Sequence, residues 1–160
     1  MDDRFRIDEL KIKGSLEILI DDNGSFDRKI VENTVLVNGK NAVVKSLGYD
    51  IGGSFQFYVD RMLFGDGGEE SDVPKRVDPT NTALFGNIRA NVSANASFSP
   101  DVLNQVVFTS VLSKSHAVGH RLNEAALQLA NGNLFSMLTF SGIPKSDTMT
   151  LTFNWTLTVI

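Results

Sequence analysis

The chain has 160 residues, 42% of them apolar and 21% charged, which is enough for one folded domain with its own core. A net charge of −4 without clustered Lys and Arg argues against a general nucleic-acid surface, and no run approaches the roughly 18 apolar residues of a membrane helix. With no cysteine, disulfides, thiolate metal sites and cysteine nucleophiles are excluded.

Residues 1–9 mix acids and arginines around two isolated apolar residues, Phe5 and Ile7, and read as an arm, either disordered or laid on a neighbour. This opening has no apolar run, so no signal peptide is expected. Residues 10–160 read as a single domain. Alternation begins with Leu10, Ile12, Leu16, Ile18 and Ile20 on one side and Lys11, Lys13, Ser15 and Glu17 on the other. Gly14 interrupts the apolar side and is expected to mark a bulge or bend. Asp21-Asp22-Asn23-Gly24-Ser25 is a hairpin turn, because Asn and Gly accept the positive φ such turns need. Phe26 to Val31 is then the returning strand.

One helix is expected between Glu32 and Gly48, placed from about Gly39, with Asn33 or Asn38 as its cap. Its apolar face would carry Val43, Val44 and Leu47, and Gly48 would take the left-handed terminal position. After Gly52-Gly53 comes Phe55 to Phe64, with Phe55, Phe57, Val59 and Leu63 on one face and Tyr58, Met62 and Phe64 on the other. A strand apolar on both faces is buried on both, by its own domain or by a partner. Residues 65–82 form a long polar loop containing Asp66, Glu69, Glu70 and Asp72. Loops of this length are usually functional or mobile.

Asn87 to Phe98 alternates without a break and is expected to be one strand, its small apolar set lying close to another layer. Ser99-Pro100-Asp101 turns the chain into Val106 to Leu112. Leu122, Ala125, Ala126 and Leu129 have helical spacing, yet Asn131-Gly132 between alternating runs marks a β-hairpin instead. From Thr148 to Ile160, Met149, Leu151, Phe153, Trp155, Leu157 and Val159 alternate with threonines and Asn154, as in a half-buried strand central to an antiparallel sheet. Seven or eight amphipathic strands bury their faces most simply as two packed sheets: an antiparallel, jelly-roll-like β-sandwich with one short helix.

Chemistry is thinly signalled. His116 and His120 lie in a loop, where two solvated histidines are the plain interpretation, with Glu124 the nearest further ligand in sequence. The acids from Asp66 to Asp72 suit calcium by type but not by EF-hand spacing, and no Gly-Lys-Ser/Thr follows Gly67-Gly68. There is no Gly-x-Ser-x-Gly elbow. No catalytic residue, cofactor or metal site is therefore assigned, and no enzyme is expected.

Several runs carry a likeness to known proteins. They are Asn33-Thr34-Val35-Leu36 followed by Gly39, Arg61-Met62-Leu63-Phe64-Gly65-Asp66-Gly67-Gly68, and Val77-Asp78-Pro79 leading to Leu84-Phe85-Gly86. Leu122-Asn123-Glu124-Ala125-Ala126-Leu127, the Asn131-Gly132 hairpin and Leu151-Thr152-Phe153-Asn154-Trp155-Thr156 complete the set. From about Asn33 to Ile160 the chain resembles small virion structural proteins of tailed, especially contractile-tailed, bacteriophages, those of cyanobacteria among them. The resemblance implies a non-enzymatic subunit of the virion in the neck, tail or baseplate region, with capsid decoration as the alternative. It implies contacts with other virion proteins and a homo-oligomer, and neither nucleic acid nor membrane as partner. Phe5, Ile7, Asp66, Glu69, Glu70 and Asp72 are the expected partner contacts. A sandwich binding carbohydrate or calcium through its loops is the other alternative.

Overall fold

The computed structural model describes residues 11–48 and 56–160. The arm with Phe5 and Ile7, and also Leu10, Gly52-Gly53 and Phe55, lie outside the described residues. The strands are β1 (Ile12–Asp22), β2 (Ser25–Glu32), β3 (Thr34–Val35), β4 (Val59–Gly65), β5 (Glu69–Glu70) and β6 (Val73–Pro74). They continue as β7 (Ile88–Ser93), β8 (Asn95–Ser97), β9 (Gln105–Leu112), β10 (Arg121–Leu129), β11 (Leu134–Pro144) and β12 (Met149–Val159). One five-stranded sheet has the order β2-β1-β12-β9-β8, the other β3-β11-β10-β4-β7, and β5-β6 is a separate small hairpin. All pairings are antiparallel, and the expected β-sandwich is present.

β12 is the middle strand of the first sheet, with β1 on one side and β9 on the other. Its alternation decides its faces. Leu151, Phe153, Trp155 and Leu157 are buried, while the threonines between them are only half-buried on the outer face. Across the sandwich, Phe153 meets Phe64 of β4 with ring centroids 4.2 Å apart. Leu16, Ile18, Leu122 and Leu127 fill the same core.

The Asn23-Gly24 hairpin forms as expected, with φ of 49° and 89° at its two turn residues. The β10–β11 hairpin forms too. Its loop is a three-residue turn closed by the Gly132 N–H donating to the Leu129 carbonyl, with Gly132 at φ 92°. The register slip beside it sends Phe135 into the main core and Leu134 to the opposite face of the sheet. At Gly14 there is no bulge: β1 and β12 stay in register through it, and the Asn33 side chain occupies the space a Cβ would need.

The helix α1 (Val37–Gly48) starts two residues earlier than placed, and neither Asn33 nor Asn38 caps it. The backbone does that work instead. The Leu36 N–H donates to the Phe135 carbonyl and the Val37 N–H to the Pro79 carbonyl. Gly39 and Ala42 are buried against β11, whereas Val44 and Leu47 are exposed, so the expected apolar face is rotated. Gly48 is helical and does not adopt the left-handed conformation.

β4 and β10 are buried on both faces, and the chain itself supplies the cover. Leu63, Ala126 and Met137 on the outer side of the second sheet pack with Leu36, Val77, Leu134 and Leu84. The segment after β4 folds back over this face, so the doubly apolar strand is no sign of a partner. Asn87 to Phe98 is two strands, not one. It pairs with β4 as β7, turns at Ala94, whose N–H donates to the Asp60 carbonyl, and joins the other sheet as β8 beside β9.

Candidate functional site

The most unusual chemistry lies where the long loop crosses the second sheet. Glu124 of β10 is wholly buried, yet no cationic side chain pairs with it among the described residues. Its carboxylate accepts three backbone N–H bonds: Gly67 (2.9 Å) and Gly86 (2.8 Å) on Oε1, and Phe85 (2.7 Å) on Oε2. Next to it, the Gly68 N–H donates to Asn123 Oδ1 at 2.7 Å. A carboxylate surrounded by N–H dipoles is solvated by the fold in place of water. Such proximity needs glycine. A Cβ on Gly67 would strike the backbone of Gly86, and one on Gly68 the carbonyl of Asn123. A β-bulge between Leu122 and Glu124 turns two successive polar residues, Asn123 and Glu124, toward this loop.

Two further acids tie down the same loop. Glu69 accepts from Arg121 Nε (3.0 Å), Asn123 Nδ2 (3.3 Å) and the Gly142 N–H (3.0 Å). The Arg121 hydrogen bond, helped by Asn123 and Gly142 against the effect of burial, holds its carboxyl below the ordinary value. Asp66 bonds Arg89 Nε at 2.6 Å and the Asn87 N–H at 3.0 Å. Burial pulls the Asp66 pKa up, but Arg89 and Asn87 together outweigh it and the net shift is downward.

Of the four acids expected to meet a partner, Asp66 and Glu69 are thus engaged inside the chain, and Glu70 and Asp72 are exposed. No group of three or more metal-ligating side chains comes together among the described residues.

Lys145 was not singled out by sequence, and it is almost wholly buried. Its ammonium donates to the carbonyls of Ser113 (3.0 Å), Ser146 (2.9 Å) and Lys114 (3.5 Å). Burial pushes its pKa down, with Asp147 opposing. It acts as a staple between the β9–β10 and β11–β12 connections. His116, in the first of these, accepts the Ser113 N–H on Nδ1 at 3.0 Å, a local turn contact.

Two depressions among the described residues carry exposed apolar side chains. One, of about 520 Å³, lies on the first sheet among Leu19, Phe26, Arg28, Thr150 and Thr152. The other, of about 290 Å³, lies at the sandwich end among Val43, Phe98, Leu103, Phe135 and Val159. Phe98 and Leu103 are 76% and 89% exposed. Neither a protein-family model, nor a curated protein, nor a solved structure matches the chain.

Proposed function

We propose that this protein is a non-enzymatic structural subunit of a tailed-phage virion, in its neck, tail or baseplate region, set among copies of itself and other virion proteins. One observation carries the reading. A sandwich with a dense core and a strapped-down loop still leaves large apolar side chains grouped at two rims, Phe26 with Leu19 and Phe98 with Leu103. Scattered apolar residues are normal on a surface, but apolar groups lining depressions are what a subunit covers with its neighbours. The phage-protein resemblance of residues 33–160 supports the same role.

The polar clasps fit it as well, since they rigidify the loop and add stiffness to a part that must hold its shape. Mass spectrometry of gradient-purified particles from a lysate expressing the gene, followed by imaging with a specific antibody label, tests the proposal. The chain should be present at several copies per particle, with label at the neck or tail. Its absence from the particles would overturn the virion role, and label over the head would move it to capsid decoration.

A further inference from the structure

β2 is the edge strand of the first sheet, and no described strand lies on its far side. It is eight residues long, has no proline, and pairs with β1 without a register slip. A long edge strand without proline can be a template for another strand, and charged side chains such as those of Asp27, Arg28 and Lys29 limit which strand it accepts. The two-residue turn makes Asp22 and Ser25 the closing hydrogen-bonded pair. Ser25, Asp27, Lys29 and Val31 therefore direct their N–H and C=O groups toward β1, and Phe26, Arg28, Ile30 and Glu32 direct theirs outward. The Asp27 carboxylate accepts the outward Arg28 N–H at 2.8 Å, filling in for a missing strand. Phe26 and Ile30 stand on the outer face, 78% and 60% exposed.

The order of side chains along β2 is complementary to itself. An antiparallel partner must set outer-face residues against outer-face residues, which permits only registers that differ by two. With Arg28 opposite its own counterpart, Phe26 meets Ile30 of the second copy and Ile30 meets Phe26. On the other face Asp27 meets Lys29 and Lys29 meets Asp27, in non-hydrogen-bonded pairs where side chains come closest. A slip of two one way sets Asp27 against Asp27. A slip the other way sets Lys29 against Lys29. A slip of four leaves Phe26 unpaired in one direction, and in the other sets Phe26 against its own counterpart over a ladder cut to a few residues around the turn. The like charges at the axis are compensated, because each Arg28 already bonds Glu17 of β1 at 2.7 Å.

We infer that two copies of this chain join edge to edge through antiparallel β2 strands, with Arg28 on the two-fold axis, forming one continuous ten-stranded sheet. The edge charges that bar indiscriminate pairing admit this register. The inference rests on the assembly role proposed above and names one of its partners. It is tested on the purified chain, while that role is tested on particles, so the two fail separately.

Sedimentation equilibrium of the full chain should show a concentration-dependent dimer. Asp27→Lys and Lys29→Asp each convert two symmetry-related attractions into repulsions and should each weaken the dimer by roughly tenfold or more. The double exchange Asp27→Lys/Lys29→Asp should restore it. Mixing the two single variants should give a heterodimer tighter than either homodimer. Both positions lie at the sheet rim, and far-ultraviolet spectra check that the variants fold. Independently, Asp27→Cys mixed with Lys29→Cys, each in a chain otherwise free of cysteine, should give a disulfide-linked heterodimer under mild oxidation, since side chains come closest in a non-hydrogen-bonded pair, where Cα atoms about 4.5 Å apart are within disulfide reach. A wild-type chain that stays monomeric at every soluble concentration overturns the inference. So does a dimer indifferent to the single exchanges or not restored by the double one.

Discussion

Glu124→Gln isolates what the buried carboxylate does, because it changes one atom and almost no volume. A glutamine can leave its oxygen on the N–H groups of Gly67 and Gly86, but its amide nitrogen then faces the Phe85 N–H, donor against donor. Three charge-assisted bonds become two neutral ones. At about 2 kcal/mol for each charge-assisted bond and about 1 kcal/mol for each neutral one, the lost stabilisation is about 4 kcal/mol. An amide is easier to bury than a carboxylate, which returns about 1 kcal/mol. The expected net loss is about 3 kcal/mol, equivalent to a melting temperature lowered by roughly 6–12 °C for a chain of this size. Urea unfolding followed by Trp155 fluorescence gives the global figure. Trypsin gives the local one: cleavage after the exposed Arg76 should accelerate under conditions where the Trp155 signal is still native. A loss below about 0.5 kcal/mol, with unchanged cleavage at Arg76, would refute the claim that this carboxylate holds the loop.

The ion pair beside it should report on acid. Glu69 is held below its ordinary value of 4.5, so its contribution is fully present above that pH and is lost as pH falls through the lower folded value. Glu69→Gln should therefore lower stability at neutral pH by up to about 1 kcal/mol, the pair being half open to water through Arg121, and should flatten the fall in stability between about pH 5 and pH 3. An unchanged acid slope, measured by urea titration at each pH, would remove the pair as a contributor. Gly39→Ala sets two effects against each other. Alanine gains up to about 1 kcal/mol in helix propensity, but its Cβ would drive into the Phe135 carbonyl oxygen, an overpacking of about 1–3 kcal/mol. The net expectation is a lower melting temperature, and a higher one would show that α1 is not seated so closely on β11.

How much of this was legible in the sequence depends on the distance over which each signal acts. Met149 to Val159 declares its own faces, because a period of two is a property of the strand alone. The Asn23-Gly24 and Gly132 turns are equally local, since positive φ at those residues fixes the reversal. Asn87 to Phe98 misleads for the same reason. Its alternation runs unbroken through Ala94, but the strands it pairs with change there, from β4 to β9, and pairing is not written in one segment. The start of α1 was likewise hidden, because its first N–H groups bond to Phe135 and Pro79 instead of to a neighbouring cap residue. Glu124 could be seen as a charge inside an apolar run, but its meaning depends on glycines 57 and 38 residues away.

Two of the four acids expected to meet a partner, Asp66 and Glu69, are bonded inside the folded chain, while Glu70 and Asp72 stay exposed. Asp66 and Glu69 draw their strength from Arg89 and Arg121 and from backbone N–H groups, and breaking those bonds to reach a neighbour would uncover Leu63 and Met137 beneath the loop. A partner gains little by competing for carboxylates already solvated in this way. The groups with unmet bonding capacity are elsewhere. Along β2 the outward backbone positions alternate with side chains that match their own reversed order, and beside them Phe26 and Leu19 line an open depression. A loop bonded down over one sheet, and on the other a β2 edge with no described strand beside it, give the domain one face held in shape and one open to extension, a combination that fits the proposed structural subunit.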